Sequence, residues 1–260
     1  MHVAIITAGD ELLAGESQNT NARWLAQQLT DTGCSVGRIL TVPDERDVIA
    51  KYIANWTDKF DAVVITGGLG GTPDDVTIEA VAKGLNREVG VDEGVREQLA
   101  ANSVRFAEEN PDIVEAYEFD VDLDAAATLP VGSRPIFNDV GWGPGCVVEN
   151  VYCFPGIPEE MQATFEVVAD EFEGDMTSTT LYTAAPEGAL VNHLEAVTEH
   201  FDVRAGSYPS DLGEPARVKI TGEKSEEVAE ATAWFRERID IVSSPEQRIQ
   251  NPDSSGVPDS

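Results

Sequence analysis

The stretch Ala62-Val63-Val64-Ile65-Thr66-Gly67-Gly68-Leu69-Gly70-Gly71-Thr72-Pro73-Asp74-Asp75-Val76-Thr77 joins a short apolar run to a glycine-rich loop carrying two aspartates. A short apolar run bounded by glycine reads as a strand buried on both faces, central in a parallel sheet. Beyond the loop, Ile78, Val81, Ala82 and Leu85 recur at helical spacing, giving a helix closed by Gly84 or Asn86. Open α/β sheets bind ligands at the carboxyl ends of their strands, so this strand–loop–helix order marks a candidate site. Glycines adopt positive φ and let the backbone come close to a phosphate. The N–H groups at a helix start supply an anion site. On this reading Gly67, Gly68, Leu69, Gly70, Thr72, Asp74 and Thr77 contact a phosphorylated small molecule. Asp74 and Asp75 suit such a ligand if a divalent cation lies between. The alternative is that one of them caps the helix through an N–H two or three residues on. The loop is no Walker sequence, because no Gly-Lys-Ser/Thr follows, and its spacing fails the dinucleotide fingerprint.

Working outward, strand-like runs alternate with helical patterns, the signature of a parallel sheet with crossover helices. Residues 3–7 form a first strand. A helix from about Thr20 carries Ala22, Leu25, Ala26 and Leu29 on one face and ends at Gly33. Residues 35–41 form the next strand, and Asp44 or Glu45 opens a helix with Val48, Ile49, Tyr52, Ile53 and Trp56 inward. Residues 92–130 read as helical and solvated, 146–148 and 151–154 as two short strands, and 158–172 as a helix burying Met161, Phe165, Val168, Ala169 and Phe172. The pattern breaks near residues 173–177. A small α+β unit follows: strand 179–183, helix 187–201, strands 203–208 and 216–221, helix 226–239. The expected fold class is α/β, a three-layer mostly parallel sheet with crossover helices followed by a small α+β domain. The domains are 1–173 and 177–242, with a disordered Pro- and Ser-rich tail over 243–260.

The 260 residues are 42% hydrophobic, enough for one medium domain and one small one. No apolar run of about 18 residues suggests a membrane helix, and no signal peptide opens the chain. Cys34, Cys146 and Cys153 lack zinc-ligand spacing or an even count, which fits a reduced cytoplasm. Acidic residues outnumber basic ones 48 to 17, a net charge of −31 spread along the chain. That charge excludes nucleic-acid binding, which needs a basic stripe. It fits a halophilic surface whose self-repulsion is screened at molar salt; a basic partner is the alternative.

The pattern Gly-Gly-x-Gly-x-x-x-x-Asp-x-Thr over residues 67–77 resembles the signature of the molybdopterin-binding domain of molybdenum-cofactor biosynthesis (the MoaB/Mog type). The nearer resemblance is to the N-terminal region of the competence/damage-inducible CinA family. Gly9-Asp10-Glu11-Leu12-Leu13-Ala14-Gly15 is similar to its first loop, and Asn19-Thr20-Asn21-Ala22 to the helix start that follows. Asn138-Asp139-Val140-Gly141-Trp142-Gly143-Pro144-Gly145 resembles its Asn-x-x-Gly-x-x-Pro-Gly loop, and Phe154-Pro155-Gly156-Ile157-Pro158-Glu159-Glu160-Met161 its Leu-Pro-Gly-x-Pro-x-Glu-Met segment. Gly206-Ser207-Tyr208-Pro209 is similar to a motif of its second part. Gly71 stands where the family usually has Pro, and Gln18 where an Asp is common. The C-terminal deamidase domain of many CinA proteins has no counterpart, so nicotinamide-nucleotide deamidation is not implied.

The resemblance implies hydrolysis of a nucleotide diphosphate such as ADP-ribose, with Asp75 and Asp44 as catalytic residues and ligands of a divalent cation, Mg²⁺ or Co²⁺. Asp75 binds the cation or positions the attacking group; Asp44, in Val42-Pro43-Asp44, does so or else caps a helix. Glu11 is a ligand contact or an exposed acid. Asn138 reads a base or pterin edge or closes an Asx-turn. Gly141, Pro144, Gly145, Pro155 and Gly156 shape cleft walls or are only turns. Two other functions stand beside hydrolysis: binding or transfer of molybdopterin, and a non-catalytic regulatory module. A homo-oligomer is plausible. The Asp120-x-Asp122-x-Asp124 run fails as a calcium loop, because Ala125 replaces the required Gly and Val131 the bidentate Glu.

Overall fold

The computed structural model describes residues 1–116, 122–209 and 215–243. It divides into two compact units, Met1–Gly174 and a second from Asp175. In the first, the elements in chain order are β1 (His2–Ala8), α1 (Asp10–Leu13), α2 (Thr20–Asp31), β2 (Ser35–Val42), α3 (Arg46–Trp56), β3 (Ala62–Thr66) and α4 (Thr77–Gly84). Then come β4 (Val89–Val91), α5 (Glu93–Glu109), α6 (Pro111–Ala116), α7 (Leu123–Ala126), β5 (Thr128–Pro130) and β6 (Arg134–Ile136). Finally β7 (Gly145–Val148), β8 (Val151–Phe154) and α8 (Pro158–Val168) lead into a 3-10 turn, Ala169–Glu171.

Six strands form one sheet in the order β2-β1-β3-β8-β7-β6. The first four run parallel, and β7 is antiparallel to both neighbours. Every residue of β3 is buried, as a central strand covered on both faces must be. Its side chains alternate between two cores. Val63 and Ile65 meet Ile49 and Ile53 of α3, Val81 of α4 and Leu99 of α5. Ala62 and Val64 meet Leu25 and Leu29 of α2 and Met161 and Phe165 of α8. Helices thus cover both faces, and the expected three-layer arrangement is what the chain adopts. Leu25 and Leu29 are fully buried, and each such side chain stabilises the fold by roughly 2 kcal/mol.

The parallel strands end in step. Thr7 stands opposite Thr41 on one side and Thr66 on the other, and Thr66 opposite Phe154. The segments beginning at Gly9, Pro43, Gly67 and Pro155 therefore leave the sheet along one edge.

Three expectations are corrected. Residues 92–130 are not wholly helical: β5 pairs with β4 in a separate two-stranded sheet. β6 adds an edge strand to the main sheet. Three-residue strands show too little alternation to read, and the Pro of β6 is tolerated because an edge strand leaves one side unpaired. The helix over 158–172 stops at Val168 and tightens into the 3-10 turn, which still buries Phe172.

The second unit holds β9 (Thr177–Thr183), α9 (Glu187–His200), β10 (Arg204–Tyr208), β11 (Ala216–Gly222) and α10 (Ser225–Arg236). Its antiparallel sheet runs β10-β11-β9 and encloses a core of Leu181, Leu190, Val197, Val218, Ile220 and Phe235. Among the described residues no helix is long and apolar enough to cross a membrane. The tail beyond 243, Asp120 and the rest of residues 117–121 lie outside the described residues.

Candidate ligand site

The glycine loop is clamped at both ends. At its start, Gly67 N–H donates to Phe154 O at 3.2 Å and the Thr66 hydroxyl to Pro155 O at 2.6 Å. At its end, the buried Thr77 donates its hydroxyl to Gly67 O at 2.8 Å and its amide to Gly68 O at 3.1 Å. Gly67 and Gly68 have φ of 102° and 66°, the left-handed region that only glycine enters cheaply. A Cβ on Gly67 would overlap the Ala8 carbonyl oxygen. Thr77 thus holds the loop from behind. Between the clamps, the N–H groups of Gly68, Leu69, Gly70 and Gly71 donate to none of the described residues.

The two aspartates of the loop share Thr72, whose side-chain hydrogen bond also holds the Asp74 carboxyl below its ordinary range. The Asp75 carboxylate turns back, accepting from Thr72 N–H at 2.8 Å and the Thr72 hydroxyl at 2.6 Å through Oδ2. It caps no helix, since the N-cap of α4 is Val76 and makes no side-chain cap. Asp74 lies near enough to Asp44 to raise its pKa.

Two cavities open at this edge. The larger, about 680 Å³, is lined by Gly68, Leu69, Gly70, Thr72, Asp75, Pro144, Pro155 and Gly156 of the sequence-predicted residues. Its remaining wall is largely apolar, including Leu99, Ala125, Ala126 and Ile157. Phe106 and Trp142 also line it, edge to face with centroids 6.1 Å apart. Asn102, 8% exposed, donates to Trp142 O at 2.9 Å and so ties α5 to that loop. The smaller cavity, about 340 Å³, is lined by Glu11, Gly67 and Gly156 together with Asn19, Asn21 and Thr66.

Asn19 and Asn21 are structural residues of this edge whose signal lay in the Asn-Thr-Asn-Ala motif. Asn19 caps α2 by accepting from Ala22 N–H at 3.0 Å and donates to Thr7 and Thr41. Asn21 donates to Gly156 O at 2.7 Å, joining α2 to the Pro155-Gly156 turn. Its Oδ1 is buried with no partner among the described residues.

Asp44 does not cap α3, whose N-cap is Glu45; its Oδ2 accepts from Asp10 N–H at the start of α1. Burial pushes its carboxyl above the ordinary range, with the charges of Asp10, Glu11 and Asp74 adding and the Asp10 amide opposing. Asn138 is engaged at both ends: it donates to Thr164 Oγ1 at 3.0 Å and accepts from Val140 N–H at 2.8 Å, an Asx-turn. Gly145 is buried within β7. Asp44, Asp74, Thr77, Asn138, Gly141 and Gly145 line neither cavity.

Glu160 was not singled out by sequence, although it lies in the Pro-Gly-x-Pro-x-Glu-Met segment. It lines the larger cavity from the first turn of α8. Burial raises its pKa, against a hydrogen bond from the Trp142 backbone amide.

Among the described residues, no group of three or more His, Cys, Asp or Glu side chains converges as a metal cage. The three cysteines are free and buried, and no described sulfur pairs as a disulfide.

A layered α/β sheet with its loops gathered at the strand ends defines the class of protein. Residues 4–173 match the model of the probable molybdopterin binding domain family, and the chain belongs to that family. Residues 175–246 match the middle domain of FAD synthase. An Archaeoglobus fulgidus protein is 35% identical over 92% of this chain and 98% of its own length. A Pyrococcus abyssi protein is 33% identical over 92% of this chain and 97% of its own. Among solved structures, the CinA protein of Thermoplasma acidophilum, described as of unknown function, matches with a TM-score of 0.56 and 30% identity. That match covers 66% of this chain and 97% of the other.

Proposed function

We propose that the first unit binds a phosphorylated ligand carrying a ring system and hydrolyses a nucleotide diphosphate such as ADP-ribose. The observation that carries this reading is the row of N–H groups at residues 68–71, unpaired among the described residues, beside Asp75 in a cavity of about 680 Å³. Such amides suit phosphate oxygens. The apolar wall with Phe106 and Trp142 suits the ring. Asp75, held by Thr72, orients a water toward phosphorus and takes its proton as the bond to the leaving phosphate breaks.

The residues present do not make a resident metal cage. Asp75 lines the cavity while Asp44 bonds to Asp10, and no third donor joins them among the described residues. Mg²⁺ or Co²⁺ accordingly enters with the diphosphate as part of the substrate, keeping most of its waters.

Incubation with ADP-ribose, Mg²⁺ or Co²⁺ and K⁺ in molar salt tests the activity. AMP is released, and Asp75→Ala slows turnover by about 10²-fold or more. Equal turnover in the variant removes Asp75 from the role. The family match over 4–173 is compatible with one second reading, the binding of molybdopterin or its adenylate. A fluorescent pterin that co-purifies, with no AMP released, selects it.

A further inference from the structure

The sheet of the second unit has one covered face and one bare face. Leu181, Val218 and Ile220 join Leu190 and Val197 of α9 and Val228 and Phe235 of α10 in the core. Side chains alternate along a strand, so the residues between them point away from the helices. In β11 these include Arg217 and Lys219. The register sets Tyr208 and Tyr182 on either side of Arg217, and Gly206 and Thr180 on either side of Lys219. Arg204 lies one diagonal step beyond Lys219, opposite Thr221. The three cations make a stripe about 14 Å long, at about 3.4 Å per residue. No Asp or Glu stands on this face of the three strands. In a chain of 48 acidic and 17 basic residues, the stripe is a local reversal of charge.

Arg204 and Arg217 are exposed, and Lys219 is partly buried. The ion pairs of the unit use Lys224 and Arg238, and none of the three stripe cations pairs with a described acid. The Arg217 guanidinium lies 5.8 Å from the centroid of the Tyr208 ring, itself 48% exposed. A guanidinium stacked on a ring keeps the donors of its fork for a partner in the same plane. Gly206 carries no side chain, so nothing on β10 screens Lys219 between Arg204 and Tyr208.

We infer that this face docks an acidic segment of a partner protein, extended so that carboxylates at every second residue fall about 7 Å apart and meet Arg217, Lys219 and Arg204 in turn. Arg forks take carboxylates bidentately, and Arg and Tyr dominate the energetics of protein interfaces. Nucleic acid fits the face worse. Three cations neutralise few phosphates, and a net charge of −31 repels a polyanion that extends beyond the stripe.

Calorimetry with the whole chain, in the lowest KCl concentration that keeps it folded, compares three probes. One is a short peptide alternating Glu and Thr. Another has the same length and composition in a Glu-Glu-Thr-Thr repeat, which leaves every second position of each face without a carboxylate. The third is an oligothymidylate of equal charge. The alternating peptide binds about fivefold tighter than the paired repeat, the upper worth of one exposed ion pair. Arg204→Gln, Arg217→Gln and Lys219→Gln together erase its binding. Arg38→Gln, Lys51→Gln and Lys59→Gln remove three exposed cations of the first unit, make the same change in net charge and leave binding in place. Equal affinity for the two peptides, no binding of either, equal loss in the two triple variants, or tighter binding of the oligothymidylate overturns the inference. Self-association in light scattering that only the face variant loses assigns the face to a second copy and overturns it as well. The peptide comparison in the unaltered protein stands whether or not the face variant keeps its melting temperature.

Discussion

The backbone N–H of Asp10 donates to Asp44 Oδ2 at 2.9 Å, tying the first residue of α1 to the segment that leaves β2. Burial outweighs that stabilising bond, and three neighbouring carboxylates add to it, so Asp44 holds its proton above the ordinary value of 3.8. Because the folded form binds the proton more tightly, this group favours folding at low pH. The contribution is lost as pH rises from 3.8 through the raised value.

Asp44→Asn therefore flattens the pH dependence of stability just above pH 3.8. Carboxyl-carbon NMR of the unaltered protein shows Asp44 titrating late. Saturating Mg²⁺ with a nucleotide diphosphate lowers the midpoint if the cation approaches this cluster. An unmoved midpoint separates Asp44 from the cation.

Gly67→Ala places a side chain at φ 102° against the Ala8 carbonyl. The strain costs about 1–3 kcal/mol, and a urea midpoint lowered with unchanged slope measures it. Gly71→Ala, with open space around its Cα, leaves stability within about 1 kcal/mol. Equal losses in the two variants count against the close approach of loop and β1.

A net charge of −31 repels itself at low ionic strength. We expect a melting temperature that rises steeply between dilute buffer and molar KCl, where the screening length falls to about 3 Å. A flat response contradicts the halophilic reading.

Much of the fold was legible before any coordinates. The apolar run Ala62–Thr66 and the helical stripes of α2 and α3 carry local periodicity, and each forms close to its expected bounds, while α8 starts as expected and ends four residues early. β4, β5 and β6 were not legible. Each has three residues, and each is defined by a partner strand rather than by a pattern of its own. At the site, the glycine loop stood out because positive φ restricts residue type. Glu160 did not, because an acid in the first turn of a helix is ordinary until the cavity beside it is known.

By itself, then, the sequence determined the parallel sheet, the covering helices and the loop that follows the third strand, because alternation, helical period and glycine are written in neighbouring residues. Only the tertiary structure decided which acid faces what. Asp74 and Asp75 are adjacent and chemically identical, and the Thr72 side chain serves both, yet only Asp75 lines the larger cavity while Asp74 lies near Asp44. Asn138, an open choice in sequence, is committed to Thr164 and Val140 by the packing of α8 beside it. The long-range part of each choice, Asn138 against Thr164 and Asp74 against Asp44, depends on packing between segments distant in the chain, which no local pattern encodes.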